Sequence, residues 1–428
     1  MSVEKGFYVR LWGSIVAIFF GALSIQASAA PLQPQPKAVP VFSQTGPDAA
    51  DYGEKLGYPV GLPFKDQPHM VGNYTHADRL WPTHTVAAAE QPSTLLRAPS
   101  ELSTSFKFGT ETTSLMKYLD TNPTTGLLVA HNDVILFEHY QYGRTDQDRF
   151  LSQSMAKTLT GMLIGIAISE GAIHSIDDTV ETYVPELKGT EMGVTPIRAL
   201  LHMASGIAFT ENFGTPQDAE KLRNSLLGPE QLNPIAAVTR FNKRVAAPNT
   251  VWHYSNLDTE GLSLVLTHAT HMTMAEYLQS RIWQPMGAEA SANWQVDSTG
   301  QEVGYCCFSA TLRDYARFGM LLAHDGAWNG RQIMPRQWLL DATQPATQGS
   351  FLAVTQEAHP WGYGYQTWLM PGPHRTFFMD GLEGQRILVD PTTHLVLVHT
   401  AVRTKMHGVG NAELVELWSS ILKQFASN

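Results

Sequence analysis

Two short apolar runs flank a polar turn in Gly126–Tyr140, GLLVAHNDVILFEHY. The stretch reads as two β runs around Asn132-Asp133, a dipeptide that favours a tight hairpin turn. The next segment, Ser154–Ser169, has a different pattern: Met155, Leu159, Met162, Leu163, Ile164, Ile166, Ala167 and Ile168 make it apolar nearly all round. A helix with that pattern belongs in a core, and Gly171 stops it. Thr112–Leu119 reads as a short helix, and residues 172–330 as mostly helix and loop. β signals return in Gly362–Met370 and His374–Met379, then in Arg386–Val389 and His394–Thr400, which flank the hairpin-like Asp390-Pro391-Thr392-Thr393. Leu414, Leu417, Trp418, Ile421, Leu422 and Phe425 recur at i, i+3 and i+4, predicting a terminal amphipathic helix. The economical arrangement is α+β: one antiparallel sheet built from both ends of the chain and flanked by helices. The middle block forms a helical lobe beside it, and a cleft between the two is the natural place for chemistry.

The beginning of the chain has no place in that scheme. Lys5 and Arg10 precede an apolar run, Leu11–Ile25, and Ala27-Ser28-Ala29 supplies a small-residue cleavage pattern. Residues 1–29 are therefore expected to be a cleaved export signal, with a periplasmic or secreted mature protein; the competing reading is an uncleaved anchor, for which the run is short. Residues 30–105 divide into a Pro-, Ala- and Gln-rich flexible leader to about Ala50 and an irregular segment laid over the core. Residues 106–428 form the main domain.

Composition narrows the function. Among the 428 residues, 39 acidic residues against 29 basic ones give a net charge of −10, which argues against a broad nucleic-acid-binding surface. No second long apolar run follows the first, so stable membrane insertion after signal cleavage is not expected. The oligomeric state cannot be read from sequence. The two cysteines, Cys306 and Cys307, are adjacent. They read as two buried thiols, with a vicinal disulfide as the strained alternative. Walker A, G-x-G-x-x-G and H-E-x-x-H patterns are absent, so no cofactor or metal is implied; His268 and His271 lack a carboxylate partner in view.

The candidate chemistry is Ser154-Met155-Ala156-Lys157. On a helix, i and i+3 share a face. A buried lysine loses its proton readily and can activate a serine, and a helix start favours negative charge on the serine oxygen. S-x-x-K also occurs at Ser2, Ser114 and Ser420, but only Ser154 opens a fully apolar helix. The second element is Tyr254-Ser255-Asn256, 100 residues further on; of the 14 tyrosines only Tyr254 has Asn two positions later. A phenol there can shuttle a proton, and Asn256 can hydrogen-bond substrate or hold the lysine.

With these two motifs the sequence resembles the serine β-lactamase and penicillin-binding-protein superfamily, in which S-x-x-K, Y-x-N and K/H-T-G build one site. Leu200–Gly206 is similar to its L-L-x-x-x-S-G segment, Ser309–Gly319 to its A-T-x-R-D-x-A-R-F-G segment, and Gly381–Gln385 to the G-x-x-G after the third motif. The resemblance spans Leu127 to the C-terminus, about 70% of the chain. Within the superfamily, Ser205–Phe213 and Asp78–Thr83 resemble the 6-aminohexanoate-dimer hydrolase and esterase branch.

The resemblance implies a β-lactamase/transpeptidase-like fold and a small ester or amide substrate. It also implies an acyl-enzyme on Ser154, proton management by Lys157 and Tyr254, and an oxyanion hole from the N–H groups of Ser154 and Leu382. One motif departs from the pattern: Met379-Asp380-Gly381 stands where K/H-T-G is expected. The missing cation argues against penicillins and D-alanyl peptides, and Asp380 and Glu383 raise the alternative of an amine-bearing or neutral substrate or of solvent-facing acids. A β-lactamase or D-alanyl carboxypeptidase and a catalytically silent ligand-binding homologue remain the alternatives.

Overall fold

In a computed structural model of the chain, the described residues are 39–211, 217–344, 361–403 and 410–426. The export signal expected over residues 1–29 and the start of the leader lie outside them.

The two apolar runs around Asn132-Asp133 build the centre of the fold. Strands Thr124–His131 and Val134–Tyr140 pair antiparallel across a turn in which Asn132 and Asp133 take φ of 48° and 64°. Two successive left-handed residues make the type I′ hairpin that Asn and Asp tolerate. The last strand of the chain, Leu395–Ala401, pairs antiparallel with Thr124–His131. The sheet then continues through Gln385–Asp390, Phe377–Gly381, Trp368–Leu369 and Gly362–Tyr363, all antiparallel. Both chain ends thus meet in one sheet, as the pattern predicts. Side chains alternate between its faces. Leu127, Val129 and Leu397 pack with Leu414, Leu417, Trp418 and Ile421 of the terminal helix Gly410–Phe425. Leu128, Ala130, Val396 and Val398 pack with helices Ala156–Ser169 and Leu312–Ala323.

The structure corrects the sequence reading in four places. The sheet is not wholly antiparallel, because Val41–Phe42 and Leu96–Arg97 add to Val134–Tyr140 in parallel. A two-residue strand has no period to read. Thr112–Leu119 is not one helix: strand Glu111–Ser114 ends at Ser114, whose hydroxyl accepts from Lys117 N–H and caps helix Leu115–Thr121. The middle block carries a second sheet, in the order Thr83–Val86, Ala292–Gln295, Phe308–Ala310 and Phe150–Leu151. Finally, Cys306 and Cys307 are joined to each other rather than free thiols. The segment over the core holds helix Met70–Thr75 and strand Thr83–Val86; Tyr52, Tyr58, Met70 and Tyr74 are buried with Tyr142 and Leu151, and Tyr52 Oη donates to Val402 O at 2.7 Å.

Packing around the apolar helix is tight. A Cβ at Gly165 would lie 2.3–2.4 Å from the Trp338 ring, which itself donates Nε1–H to Gly161 O at 3.1 Å. Gly→Ala inside a helix ordinarily gains about 1 kcal/mol. Overpacking costs about 1–3 kcal/mol and outweighs that gain here. Gly165→Ala is therefore expected to lower the urea midpoint at unchanged slope; a raised midpoint would mean that Trp338 moves aside freely.

Candidate active site

Ser154 lies in a 3-10 turn, Gln153–Met155, which runs into helix Ala156–Ser169; the helix proper starts two residues after the serine. Gln153 has φ 47°, a left-handed conformation that non-glycine residues rarely adopt. Neighbouring strands clamp the turn. Ser152 N–H donates to Phe308 O at 2.7 Å, Phe308 N–H donates to Ser152 Oγ at 3.2 Å, and Gln153 Nε2 donates to Tyr74 Oη at 2.9 Å. On the other side, a Cβ at Gly381 would come within 2.3 Å of Ser152 O and 3.1 Å of Gln153 Cβ. Strand Phe377–Gly381 can press against the serine turn only because residue 381 has no side chain. Ser154 itself is partly exposed.

Lys157, one helical turn on, is 2% exposed. Its Nζ donates to Ser154 Oγ at 3.0 Å, Asn256 Oδ1 at 2.6 Å and Tyr305 O at 3.1 Å. It also lies 4.8 Å from the Tyr254 ring centre and 5.5 Å from that of Tyr305. An ammonium has three donors, and all are used. Burial nonetheless lowers the Lys157 pKa to about 8, against the opposing charge of Glu211.

Asn256 and Tyr254 come from the start of helix Asn256–Thr270, which Ser255 caps by accepting from Asp258 N–H. The cap fixes Asn256 as the first helical residue, with its amide oxygen on Lys157. The Tyr254 ring stacks on Trp368 (5.6 Å, 24°) and meets Tyr363 edge-on (6.3 Å, 90°). Burial, with the charge of Glu211, pushes the phenol well above its ordinary pKa. Ser154, Lys157, Tyr254 and Asn256, singled out from sequence, thus converge on one point. Gly381 abuts the turn that carries the serine, and Leu382 opens the 3-10 turn that follows it.

Sequence reasoning missed Glu211 as a site residue. Its carboxylate accepts Asn256 N–H at 2.7 Å and is raised by burial, against the Lys157 charge. It also missed the Tyr305 carbonyl and the Trp368–Tyr363 wall. A backbone acceptor has no side-chain signature, and Glu211 has none beyond its place in the Ser205–Phe213 segment. The acids of the third motif are already paired: Asp380 with Arg386 at 2.5 Å, Glu383 with Lys65 at 2.9 Å. Both side chains are also partly exposed. Other quoted segments are structural. Asp314 accepts from Glu289 N–H, Ala290 N–H, Thr311 Oγ and Arg317, and Asp78 holds Arg149 and Asn293. Among the described residues no group of three or more His, Cys, Asp or Glu is placed to hold a metal ion.

Comparison with known proteins agrees with this geometry. The family described as Beta-lactamase matches residues 114–416, from the cap of helix Leu115–Thr121 into the terminal helix. The chain belongs to the beta-lactamase family. Its sequence is 26% identical over 368 residues to a 6-aminohexanoate-dimer hydrolase of Paenarthrobacter ureafaciens, covering 83% of this chain and 91% of that one. A Bacillus anthracis structure described as a candidate 6-aminohexanoate-dimer hydrolase superposes with a TM-score of 0.74 at 26% identity, covering 84% and 96%. A penicillin-binding protein of Bacillus halodurans shares the fold at 14% identity, with a TM-score of 0.54 over 68% of this chain and 96% of that one.

The contact of Gly381 with the serine turn yields a test. Gly381→Ala forces Cβ against the Ser152 carbonyl and is expected to lower stability by about 1–3 kcal/mol. It should also slow labelling of Ser154 by a fluorophosphonate, followed by intact mass. Unchanged stability and labelling would show that the strand can retreat without moving the serine.

Proposed function

We propose that the chain is an exported serine hydrolase that cleaves an ester or amide bond of a small substrate through an acyl-enzyme on Ser154. The observation that carries this reading is Lys157: buried, held 3.0 Å from Ser154 Oγ, and with a pKa lowered to about 8. An amine near neutrality can take the serine proton as Oγ attacks the carbonyl. The Tyr254 phenol, kept protonated by its raised pKa, then donates to the leaving group. Water releases the acid in a second step. The N–H groups of Ser154, second in its 3-10 turn, and of Leu382, first in the other, have no partner within the turn, and they receive the oxyanion.

The substrate reading rests on two supports. The relatives from Paenarthrobacter ureafaciens and Bacillus anthracis are named for a 6-aminohexanoate dimer, a short linear amide. Asp380, on the strand where the resemblance places the basic residue of K/H-T-G, is paired with Arg386 of the neighbouring strand. Both favour small linear amides or esters over β-lactams. Export is read from Lys5, Arg10 and the run Leu11–Ile25, and a disulfide at Cys306–Cys307 suits an oxidising compartment. The mass of the mature N-terminus checks it: cleavage after Ala29 is expected, and an intact Met1 would refute it.

Wild type is expected to release p-nitrophenol from p-nitrophenyl esters and to form a covalent adduct with a fluorophosphonate, both lost in Ser154→Ala. Turnover that survives in Ser154→Ala would refute the mechanism. Because the neutral amine is the active form, kcat/KM should rise with pH through about 8. Glu211 carries a negative charge that raises the Lys157 pKa, so Glu211→Gln should move that midpoint to lower pH. A midpoint that stays, or moves up, would remove Lys157 from the role of base.

A further inference from the structure

The stretch Gly304–Phe308 fastens the catalytic helix and the chain leading into it at three points. Gly304 O accepts from Thr160 Oγ at 2.8 Å, Tyr305 O from Lys157 Nζ at 3.1 Å, and Phe308 O from Ser152 N–H at 2.7 Å. Between the second and third of these lie Cys306 and Cys307, bonded to each other. A bond between adjacent side chains closes a small ring across their peptide and removes freedom from both residues. Cys307 has φ 71°, a left-handed conformation unusual for an L residue with a side chain. The ring is anchored on its far side as well: Cys306 O accepts from Trp294 Nε1 at 3.0 Å and Cys307 O from Gln295 N–H at 3.1 Å. The only covalent crosslink in the chain therefore sits one residue from the carbonyl that holds Lys157. A stabilising crosslink gains most by closing a long loop, and this one closes almost none, so its use must be local.

We propose that the Cys306–Cys307 disulfide is a positioning clasp for Lys157, holding the Tyr305 carbonyl on the lysine when oxidised and releasing it when reduced. The inference rests on the reading of Ser154 and Lys157 as the nucleophile and its base. Reduction needs a dithiol. One thiolate attacks a protein sulfur, the S–S bond breaks, and the second thiol displaces the mixed disulfide. Two electrons and two protons pass to Cys306 and Cys307, and the reductant leaves as a cyclic disulfide. The opened ring lets Cys307 leave the left-handed region, and the Tyr305 carbonyl moves with it. Lys157 then has two acceptors instead of three, so its charged form is less favoured and its position looser.

The test measures kcat/KM for a p-nitrophenyl ester against pH in three samples: oxidised wild type, wild type reduced with dithiothreitol, and Cys306→Ser/Cys307→Ser. Intact mass after iodoacetamide reports the thiols formed. In the reduced wild type and in the double variant, the high-pH plateau of kcat/KM should fall about tenfold, the order of one hydrogen bond to a charged group. The pH midpoint should also move to lower values, and re-oxidation should restore both. General loosening would lower the plateau without moving the midpoint. If wild type resists reduction, the folded double variant decides; if the double variant fails to fold by circular dichroism, the reduced wild type decides. Both thiols alkylated with rate and midpoint unchanged, or a folded double variant indistinguishable from wild type, would overturn the inference. Loss of turnover in Ser154→Ala, measured alongside, separates failure of the clasp from failure of the hydrolase reading.

Discussion

An ammonium group taken out of water is the constraint around which this protein is arranged. Lys157 is 2% exposed, and a charge that deep is tolerated only with every donor satisfied. The acceptors come from three distant parts of the chain: the Ser154 hydroxyl, the Asn256 amide and the Tyr305 carbonyl. The balance is not complete, because burial still lowers the Lys157 pKa to about 8. That remainder is what makes the group useful: a fully satisfied lysine would stay an inert cation, and an unsatisfied one would not be tolerated.

The fold supplies the convergence. The hydrophobic helix Ala156–Ser169 is locked in the core, so Ser154 and Lys157 cannot drift relative to the sheet. The main sheet carries Gly381 up to the serine turn from the far end of the chain, and a bare Cα is the condition for that approach. The second sheet joins the turn from the opposite side through Ser152 and Phe308. The Ser255 cap fixes where helix Asn256–Thr270 starts, and with it where the asparagine amide reaches.

Much of this was legible in sequence because the signals are local and periodic. The hairpin at Asn132-Asp133, the apolar helix, the stripe from Leu414 to Phe425 and the two short motifs each state their role within a few residues. What stayed hidden is what periodicity cannot carry. Val41–Phe42 and Leu96–Arg97 are too short for a pattern. The strands at 292–295 and 308–310 are buried within a mostly helical block. The Tyr305 carbonyl is main chain, which any residue offers. Adjacent cysteines look alike oxidised or reduced, since the deciding backbone conformation, Cys307 at φ 71°, leaves no mark in composition. The pairing of the acids at 380 and 383 was hidden for the same reason: their partners, Arg386 and Lys65, become neighbours only through strand pairing and chain reversal.

The most direct measurement is the titration of Lys157 itself, by 15N NMR of the lysine side-chain nitrogens, with Lys157→Arg used to assign the resonance. One nitrogen is expected to titrate near 8, well below the others. If every lysine in the folded protein titrates at about 10.4, the value of an unperturbed side chain, then Lys157 is an ordinary cation and the mechanism built on it is wrong.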